Sequence, residues 1–312
     1  MNPLTPASAP LPAVPALEHA AVGRPITRAG VSLVPVYLHQ GLGAPVLTGA
    51  AAPVEITEDA AESVPSVTVT SSAAGPVLLV EGETVAGGLQ QRTLDVSVLV
   101  PAGATLRVPV SCVEMGRWGG RRRFDRGRSF ATSRVRRSKQ ASLEASLRQR
   151  SRKKADQHEV WASVDESLNL LAAPSPTRNL ADADLVLDRD DRRAAGLADL
   201  LALGPLPGQC GVVVFHGRHL VGAEVLGAPD LLAAHWEPMV RSLLLEAPGQ
   251  VEGRPSVGRA VRFLARLGTG RAVPADGVGL GRERHVRTSR LVGQVLTWDD
   301  AVVHASGFAL AA

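Results

Sequence analysis

The sequence has few cysteines and no long apolar run, and both absences restrict the class of protein it can be. Its two cysteines, Cys112 and Cys210, are about a hundred residues apart and lie in or beside apolar segments. This arrangement is typical of reduced thiols in a cytosolic protein, not of a disulfide scaffold. No segment reaches the roughly 18 to 20 consecutive apolar residues that cross a bilayer. We therefore expect a soluble, cytoplasmic protein without membrane contact.

Aromatic residues and lysines are also scarce. Aromatics make up 3% of the 312 residues, and 31 of the 34 basic residues are arginine. The preference for arginine, together with abundant Ala, Gly, Val and Pro, is typical of a GC-rich bacterial genome. Codon usage explains the choice of arginine over lysine, but it does not explain where the positive charge lies along the chain.

The order of strand-like and helix-like segments predicts an α+β protein. Short apolar segments separated by turn residues between 26 and 118 favour an antiparallel β-sandwich or barrel. A basic arm and one long helix, from about Ser138 to Leu171, are expected within 119–175. A mixed α/β part over 176–312 should pack on the β-rich region. Residues 1–25 are rich in Pro and Ala without the layout of a signal peptide, which predicts a disordered arm.

Local patterns predict several elements of the C-terminal part. The segment Gly211–Leu226 reads as a hairpin that turns at Gly217. Aspartates between 182 and 191 lack the Gly and distal Glu of a calcium loop, so we expect a solvated acidic turn before a helix over Asp191–Leu203. Further helices are expected around 230–246 and 257–267, followed by two strands over 290–298 and 301–308.

The most informative stretch runs from Gly75 to Trp118. It contains three strand-like runs, 76–80, 94–100 and 106–113, and polar residues stand where each strand should end. Because side chains alternate along a strand, Glu81 and Glu83 should follow the first strand on one face, and Glu114 should emerge at the rim after the third. We therefore expect Glu83, Glu114 and the arginines near them, Arg92 and Arg117, to converge.

Three motifs in this stretch resemble a known domain family. They are G-P-V-L-L-x-x-G-E, Q-x-R-x-L-x-x-S-V-L-V-P-A-G and V-P-V-S-C-V-E-x-G-R-W. They resemble the ADP-ribosylglycohydrolase- and rhodanese-phosphatase-superfamily-associated protein domain, and the likeness extends more weakly through Gln157 and Trp161 to Phe308. Where that family tends to have Asp-Gly-Glu-Glu-Leu, this chain has Glu-Gly-Glu-Thr-Val over 81–85, and Gln91 replaces an Asn.

The resemblance implies processing or sensing of ADP-ribose or an NAD-derived nucleotide, with hydrolysis as one option. The partners of the protein would be such a nucleotide or an ADP-ribose-processing enzyme. The resemblance does not indicate a cofactor. Glu83 and Glu114 are the candidate catalytic residues, because hydrolysis at a glycosidic carbon needs carboxylates. The candidate ligand-binding residues are Glu81, Gln91, Arg92, Cys112, Arg117, Trp118, Gln157 and Trp161. The structural alternative is that the carboxylates pair with Arg92 and Arg117, that Cys112 is a buried thiol, and that the tryptophans are core anchors.

A second hypothesis rests on charge. Arg117 to Lys154 contains 15 basic and 2 acidic residues, so the segment carries +13 while the whole chain carries +4. Such a segment is typical of a non-catalytic protein that binds RNA or another polyanion, or of a scaffold. Only Phe124 and Phe130 interleave with the arginines, and no nucleic-acid motif is present. The same arginines could instead hold the diphosphate of a nucleotide.

Familiar cofactor and metal motifs are missing from the sequence. No G-x-G-x-x-G follows a strand, and there is no Walker-type loop. No H-x-x-x-H or C-x-x-C spacing indicates a zinc site, so we expect no metal centre.

Overall fold

The structure is a computed structural model that describes residues 13–59, 65–117 and 119–310. Its first part is built mainly from short strands. They are, with one helical turn, α1 (Pro15–Glu18), β1 (Ala21–Val22), β2 (Ile26–Arg28), β3 (Val31–Tyr37), β4 (Leu47–Thr48), β5 (Val54–Glu58), β6 (Ser66–Ser71), β7 (Val77–Leu79), β8 (Glu83–Gly87), β9 (Arg92–Leu94), β10 (Val98–Val100), β11 (Thr105–Cys112) and β12 (Arg123–Phe130).

The second part alternates between helices and strands. Its elements are α2 (Ser133–Arg150), α3 (Gln157–Leu170), a 3-10 turn (Leu180–Asp182), α4 (Ala183–Arg189), α5 (Asp191–Leu203), β13 (Gly211–His216), β14 (His219–Leu226), α6 (Pro229–Leu245), α7 (Val257–Thr269), β15 (Ala272–Asp276), β16 (Arg282–Arg287), β17 (Leu291–Trp298) and β18 (Ala301–Ala309). The hairpin with its turn at Gly217, the helix over Asp191–Leu203 and the last two strands are confirmed.

The strands form a closed barrel and a large antiparallel sheet. The barrel has the order β11-β6-β5-β12-β8-β9, and the large sheet has the order β1-β3-β13-β14-β18-β17-β16-β15, with β2 also paired to β3. The strands of a small sheet, β10-β7-β4, alternate along the chain with the barrel strands. In β6, for example, Val67 and Val69 alternate with more exposed residues and point into the barrel. The predicted α+β class with a barrel is confirmed.

Strands from the two ends of the chain share the large sheet. β3 pairs with β13 over six residues, from Val31↔His216 to Val36↔Gly211. The predicted β-rich region 26–118 is thus divided, because β2 and β3 belong to the sheet that the C-terminal part completes. Residues 13–22 also differ from the expected arm, since α1 buries Leu17 and β1 pairs with β3. The remaining residues of the expected arm that precede Ala13 lie outside the described part.

Three further expectations of secondary structure were wrong. The expected single strand over 94–100 is two strands, since β9 joins the barrel and β10 joins the small sheet. The basic segment expected as a loop contains β12, which pairs with β5 and β8. The acidic turn is instead the short helix α4, in which Asp184 is buried.

The expected long helix is two helices that pack on each other. α2 ends at Arg150, and the left-handed φ of 53° at the next residue, Ser151, turns the chain away. Asp156 then begins α3 by accepting hydrogen bonds from the backbone of His158 and Glu159. Among the described residues, no helix is long and apolar enough to cross a membrane.

Candidate functional site

Glu81 and Glu83, expected on one face, point to different places because Gly82 turns the chain between them. Gly82 has a φ of +87°, which disfavours residues with a Cβ, and a Cβ there would clash with Arg136. Glu81 is enclosed between the barrel and the large sheet, with no exposed surface. Glu83 begins β8 and faces an open cleft.

The Glu81 carboxylate is held by cations and neutral donors. Its Oε2 accepts hydrogen bonds from Arg136 Nη2 (2.7 Å), Gln140 Nε2 (2.9 Å) and Ser306 Oγ (3.0 Å), and Lys139 Nζ lies 2.8 Å from Oε1. Burial by itself would raise the pKa of Glu81, but the charges of Arg136 and Lys139 outweigh it and lower the pKa to about 2. Glu81 is therefore ionised.

Arg136 extends this cluster to the large sheet. Its Nη1 lies 2.8 Å from Oε2 of Glu224 on β14. Glu224 Oε1 is 2.5 Å from Nε2 of His304 on β18, whose Nδ1 lies 2.7 Å from Ser97 Oγ. Burial would raise the pKa of Glu224, yet Arg136 and His304 lower it. We call Glu81, Arg136, Lys139, Glu224 and His304 the internal charge cluster; it connects the barrel to the large sheet.

Glu83 lies in a cleft of about 400 Å³ between β8, β12 and α6. Its Oε1 accepts a hydrogen bond of 2.6 Å from the backbone of Val80, and its Oε2 pairs with Arg126 of β12. Arg128, Phe130 and the backbone around Gly49 also line the cleft. The cleft thus combines a carboxylate, arginines and apolar surface, which is the composition of a site for a small polar ligand.

His235 of α6 is the second acceptor in this cleft. Thr48 Oγ1 donates a hydrogen bond to the carbonyl of Leu78 (2.8 Å) and lies 2.6 Å from His235 Nε2. Because a hydroxyl has one proton, Thr48 must accept from Nε2–H, which leaves a lone pair on Nδ1. Nδ1 is 3.8 Å from Glu83 Oε1. Burial, helped by Arg126 and His304, lowers the pKa of His235 despite Glu83, so the ring is neutral at pH 7.

Glu114 belongs to a separate set of contacts. Its oxygens accept hydrogen bonds from Arg117 Nη2 (2.8 Å), the backbone N–H of Gln91 (3.0 Å) and Thr177 Oγ1 (2.9 Å). Although burial would raise the pKa of Glu114, these donors lower it. The predicted neighbours Gln91, Arg117 and Glu114 therefore meet, in the manner of a structural ion pair.

The expected convergence of Glu83 with Glu114 is wrong. β8, β9 and β11 are antiparallel neighbours, with Thr84 opposite Thr93 and Thr93 opposite Ser111. Glu83 consequently lies at one end of these strands and Glu114 at the other, beside the β8–β9 turn. Arg92 is at the Glu114 end, where it donates to the carbonyl of Gln90. The site hypothesis therefore has to stand on Glu83 without Glu114.

Glu114→Gln tests whether this carboxylate is structural. The substitution removes the charge that holds Arg117, which is one-third exposed, so we expect a loss of about 1 to 3 kcal/mol in unfolding free energy, measured by urea denaturation. Glu55→Gln is the matched control, because Glu55 pairs with Arg123 on the exposed surface and should change stability by less than about 0.5 kcal/mol. A Glu114 variant as stable as the parent would contradict the structural assignment.

The other predicted site residues also make local contacts. The thiol of Cys112 is buried, and burial raises its pKa to about 11, so it is not a nucleophile at pH 7. The side-chain amide of Gln157 makes two hydrogen bonds of 2.8 Å to the backbone of Cys112, which fixes α3 on β11. Trp161 packs edge-on against His158, and Trp118 lies outside the described residues. Ligand-binding roles for these residues stay predictions.

Several residues of the two sites were not found by the sequence analysis. His235, Arg126 and Lys139 are examples, and each is far in sequence from its carboxylate. One signal was available: a carboxylate next to an apolar strand needs a buried cation, and the basic segment supplies 15 of the chain's 34 basic residues. Asp95, buried beside Ser111, was also missed.

Much of the basic segment is neutralised within the chain. At least nine of its 15 basic residues form ion pairs with carboxylates among the described residues: Arg117, Arg123, Arg126, Arg128, Arg134, Arg136, Lys139, Arg148 and Lys153. Arg136 and Lys139 are also buried. The segment is therefore part of a barrel strand and two packed helices. Within 13–59, 65–117 and 119–310, no group of three or more His, Cys, Asp or Glu side chains could hold a metal ion.

Comparison with known proteins places the chain in a family. No curated protein and no solved structure matches it. Residues 19–308 match the family model of the ARG and Rhodanese-Phosphatase-superfamily-associated Protein domain, ARPP-1. The family name associates the domain with ADP-ribosylglycohydrolase and with the rhodanese-phosphatase superfamily. Because the match covers nearly the whole chain, including the Glu83 cleft and the internal charge cluster, the protein belongs to the ARPP-1 domain family.

Proposed function

We propose that the protein binds ADP-ribose or an NAD-derived nucleotide in the cleft formed by β8, β12 and α6, and that it processes or senses this ligand. The observation that carries the proposal is the position of Glu83, a carboxylate of the family motif that faces an open cleft beside a neutral histidine. The association of the family with ADP-ribosylglycohydrolase supports the choice of ligand.

The cleft suits the parts of such a ligand. Arg128 could exchange its carboxylate partner, Asp188, for a diphosphate, since arginine binds phosphate in a bidentate manner. Arg126 pairs with Glu83 through Nη1 and has no hydrogen-bond partner for Nη2 among the described residues, so Nη2 could bind the same diphosphate. Phe130 and the alanines at 233 and 234 supply apolar surface for a base or a sugar face. The volume of about 400 Å³ is within the range of about 300 to 1,000 Å³ for small-molecule sites.

If the ligand is hydrolysed, Glu83 and His235 are the groups that would act. In that reaction a water oxygen forms a bond to the anomeric carbon, and the leaving group departs with the electron pair of the broken glycosidic bond. The proton of the water passes to the neutral imidazole or to the carboxylate, which also stabilises the oxocarbenium-like charge. In a sensing protein, the same groups would only bind.

A thermal-shift panel of NAD, ADP-ribose, phosphorylated ADP-ribose and short RNA tests the proposal. A ligand at a hundred times its dissociation constant stabilises the folded protein by about 2.7 kcal/mol. We expect ADP-ribose or NAD to raise the melting temperature of the parent protein. Arg126→Gln should remove most of this rise, because Arg126 faces the cleft.

Arg123→Gln is the matched control for this panel. Arg123 lies on the same strand as Arg126, but its side chain is exposed and pairs with exposed Glu55. It should leave the ligand-induced rise unchanged. Absence of any rise with all NAD-derived ligands, or equal losses in both variants, would contradict binding in this cleft.

The polyanion-binding alternative predicts a different salt dependence. A protein that neutralises several phosphates loses affinity for RNA steeply as salt rises, because counterions are released. Since nine basic residues of the segment are already paired, we expect weak RNA binding with a shallow salt dependence, measured by fluorescence anisotropy between 50 and 200 mM salt. Tight binding with a steep slope would favour the alternative.

A further inference from the structure

Two hydrogen-bond acceptors face each other in the cleft without a donor between them. They are Oε1 of Glu83 and Nδ1 of His235, 3.8 Å apart. Oε1 has one partner, the backbone N–H of Val80, and no described residue donates a hydrogen bond to Nδ1. Both side chains are more than nine-tenths buried, yet both line the cleft. An unpartnered acceptor in such a position needs a donor from a ligand or solvent.

The hydrogen-bonding roles of the two side chains follow from their neighbours. Thr48 accepts from Nε2–H, so the imidazole presents Nδ1 as an acceptor. Arg126 pairs with Oε2 of Glu83, while Oε1 accepts from the backbone N–H of Val80 and faces Nδ1. The groups that face His235 from neighbouring elements are Glu83 on β8, Arg126 on β12, Glu224 on β14 and His304 on β18. The pair therefore offers acceptors only, which suits a ligand with two adjacent O–H groups and repels a phosphate.

We infer that Glu83 and His235 together recognise the vicinal diol of a ribose. Each hydroxyl donates one hydrogen bond, one to Oε1 and the other to Nδ1, and adjacent hydroxyls match the short separation of the acceptors. One water that bridged two acceptors with a tetrahedral angle would hold them about 4.6 Å apart, given O–H hydrogen bonds of about 2.8 Å. The observed separation of 3.8 Å between the acceptors is shorter than this, so two hydroxyls on adjacent carbons suit them better than one bridging water.

This inference rests on the proposed function and adds which part of the ligand, the ribose diol, the protein recognises. It predicts selectivity for ribose over deoxyribose, because a missing hydroxyl leaves one acceptor unpaired. The probes are ADP-ribose, ADP and 2′,3′-dideoxy-ADP, ribose 5-phosphate and 2-deoxyribose 5-phosphate, with dissociation constants from calorimetry on the full chain. In at least one matched pair, we expect the deoxy compound to bind about 10- to 100-fold more weakly.

A variant locates the selectivity at the pair. His235→Gln still allows a hydrogen bond to Thr48 but removes the Nδ1 acceptor, so it should weaken the ribose compound about 10-fold and leave the deoxy compound within about twofold. His219→Gln is the matched control, because His219 is exposed at the start of β14, and it should change neither. The melting temperature of each variant checks that it is folded.

The outcomes separate this inference from the proposed function. If ADP-ribose binds but both ribose and deoxyribose pairs bind equally, the diol inference is overturned and the proposed function stands. If His235→Gln weakens ribose and deoxyribose compounds equally, the pair holds water or acts through charge, and the inference is again overturned. If no probe binds at all, both the proposed function and the inference fail. The comparison of ribose and deoxyribose probes needs only the parent protein. The inference can therefore be contradicted even if the variant does not fold.

Discussion

Arg136→Met is expected to lower the unfolding free energy by about 3 to 5 kcal/mol, which is the cost of removing one partner from a buried ion pair. Arg136 bridges Glu81 and Glu224, and its guanidinium also lies 5.0 Å from the ring centre of Phe308. Without it, the buried carboxylates of Glu81 and Glu224 lose the cation that they share, and Lys139 remains as the ion-pair partner of Glu81. The expected loss is a large fraction of the total unfolding free energy of a native protein, which is about 5 to 15 kcal/mol.

Urea denaturation and a thermal melt measure this effect. The melting temperature should fall by about 10 °C. Arg137→Met is the matched control, because the side chain of the neighbouring Arg137 makes a single long hydrogen bond (3.5 Å) to the described residues, at the carbonyl of Ala309. It should cost less than about 1 kcal/mol. The stability of Arg136→Lys should lie between those of the two Met variants, since one ammonium group cannot bind both carboxylates as the guanidinium does. If Arg136→Met is as stable as Arg137→Met, the internal charge cluster does not hold the fold together.

Asp95→Asn is expected to stabilise the protein at neutral pH. Asp95 is buried, and burial raises its pKa to about 6 although Lys139 and Ser111 oppose this. A carboxyl whose folded pKa lies above its unfolded value of 3.8 contributes stability below pH 3.8, and this contribution is lost as the pH rises through 6. The shift corresponds to about 3 kcal/mol at pH 7.5. An asparagine avoids this loss and can still accept the hydrogen bond from Ser111 Oγ.

The difference between variant and parent isolates this effect. At pH 7.5 the Asn variant should be more stable by about 2 to 3 kcal/mol, and near pH 4 the two should be equal. Asp125→Asn, on the exposed side of β12, is the matched control and should show no such pH dependence. The contribution of Glu81 to stability changes with pH in the opposite direction. Because its pKa is lowered to about 2, this contribution is present above pH 4.5 and is lost as the pH falls toward 2. A destabilised Asp95→Asn at pH 7.5 would show that the charge itself is needed.

Elements fixed by local pattern were predictable from the sequence. The helix over Asp191–Leu203 has an N-cap aspartate and a clear helical period, and the hairpin at Gly217 has apolar strands on both sides of a turn. β12 was not predictable, because its arginines are compensated by carboxylates from other strands, such as Glu83, that no local pattern reveals. The division of 94–100 into two strands depends on which sheets are nearby, and that is tertiary information.

The candidate site was predictable only in part. The motif pointed to Glu83, and strand alternation placed Glu81 beside it, but the left-handed turn at Gly82 separates the two. A glycine between two glutamates permits that turn without requiring it. His235 comes from a helix about 150 residues later, and its role depends on Thr48, which fixes its tautomer. Such convergence arises from tertiary packing, and the sequence spacing of the residues does not indicate it.

The pairing of β3 with β13 also determines how the chain must fold as it is made. About 170 residues separate these neighbouring strands. At a synthesis rate of about 5 to 20 residues per second, β3 leaves the ribosome roughly 10 to 35 s before its partner exists. Throughout that interval one edge of an apolar strand lacks its partner, and an exposed edge of this kind is a template for aggregation. Refolding of the intact chain should accordingly be slow, because its central pairing closes a long loop.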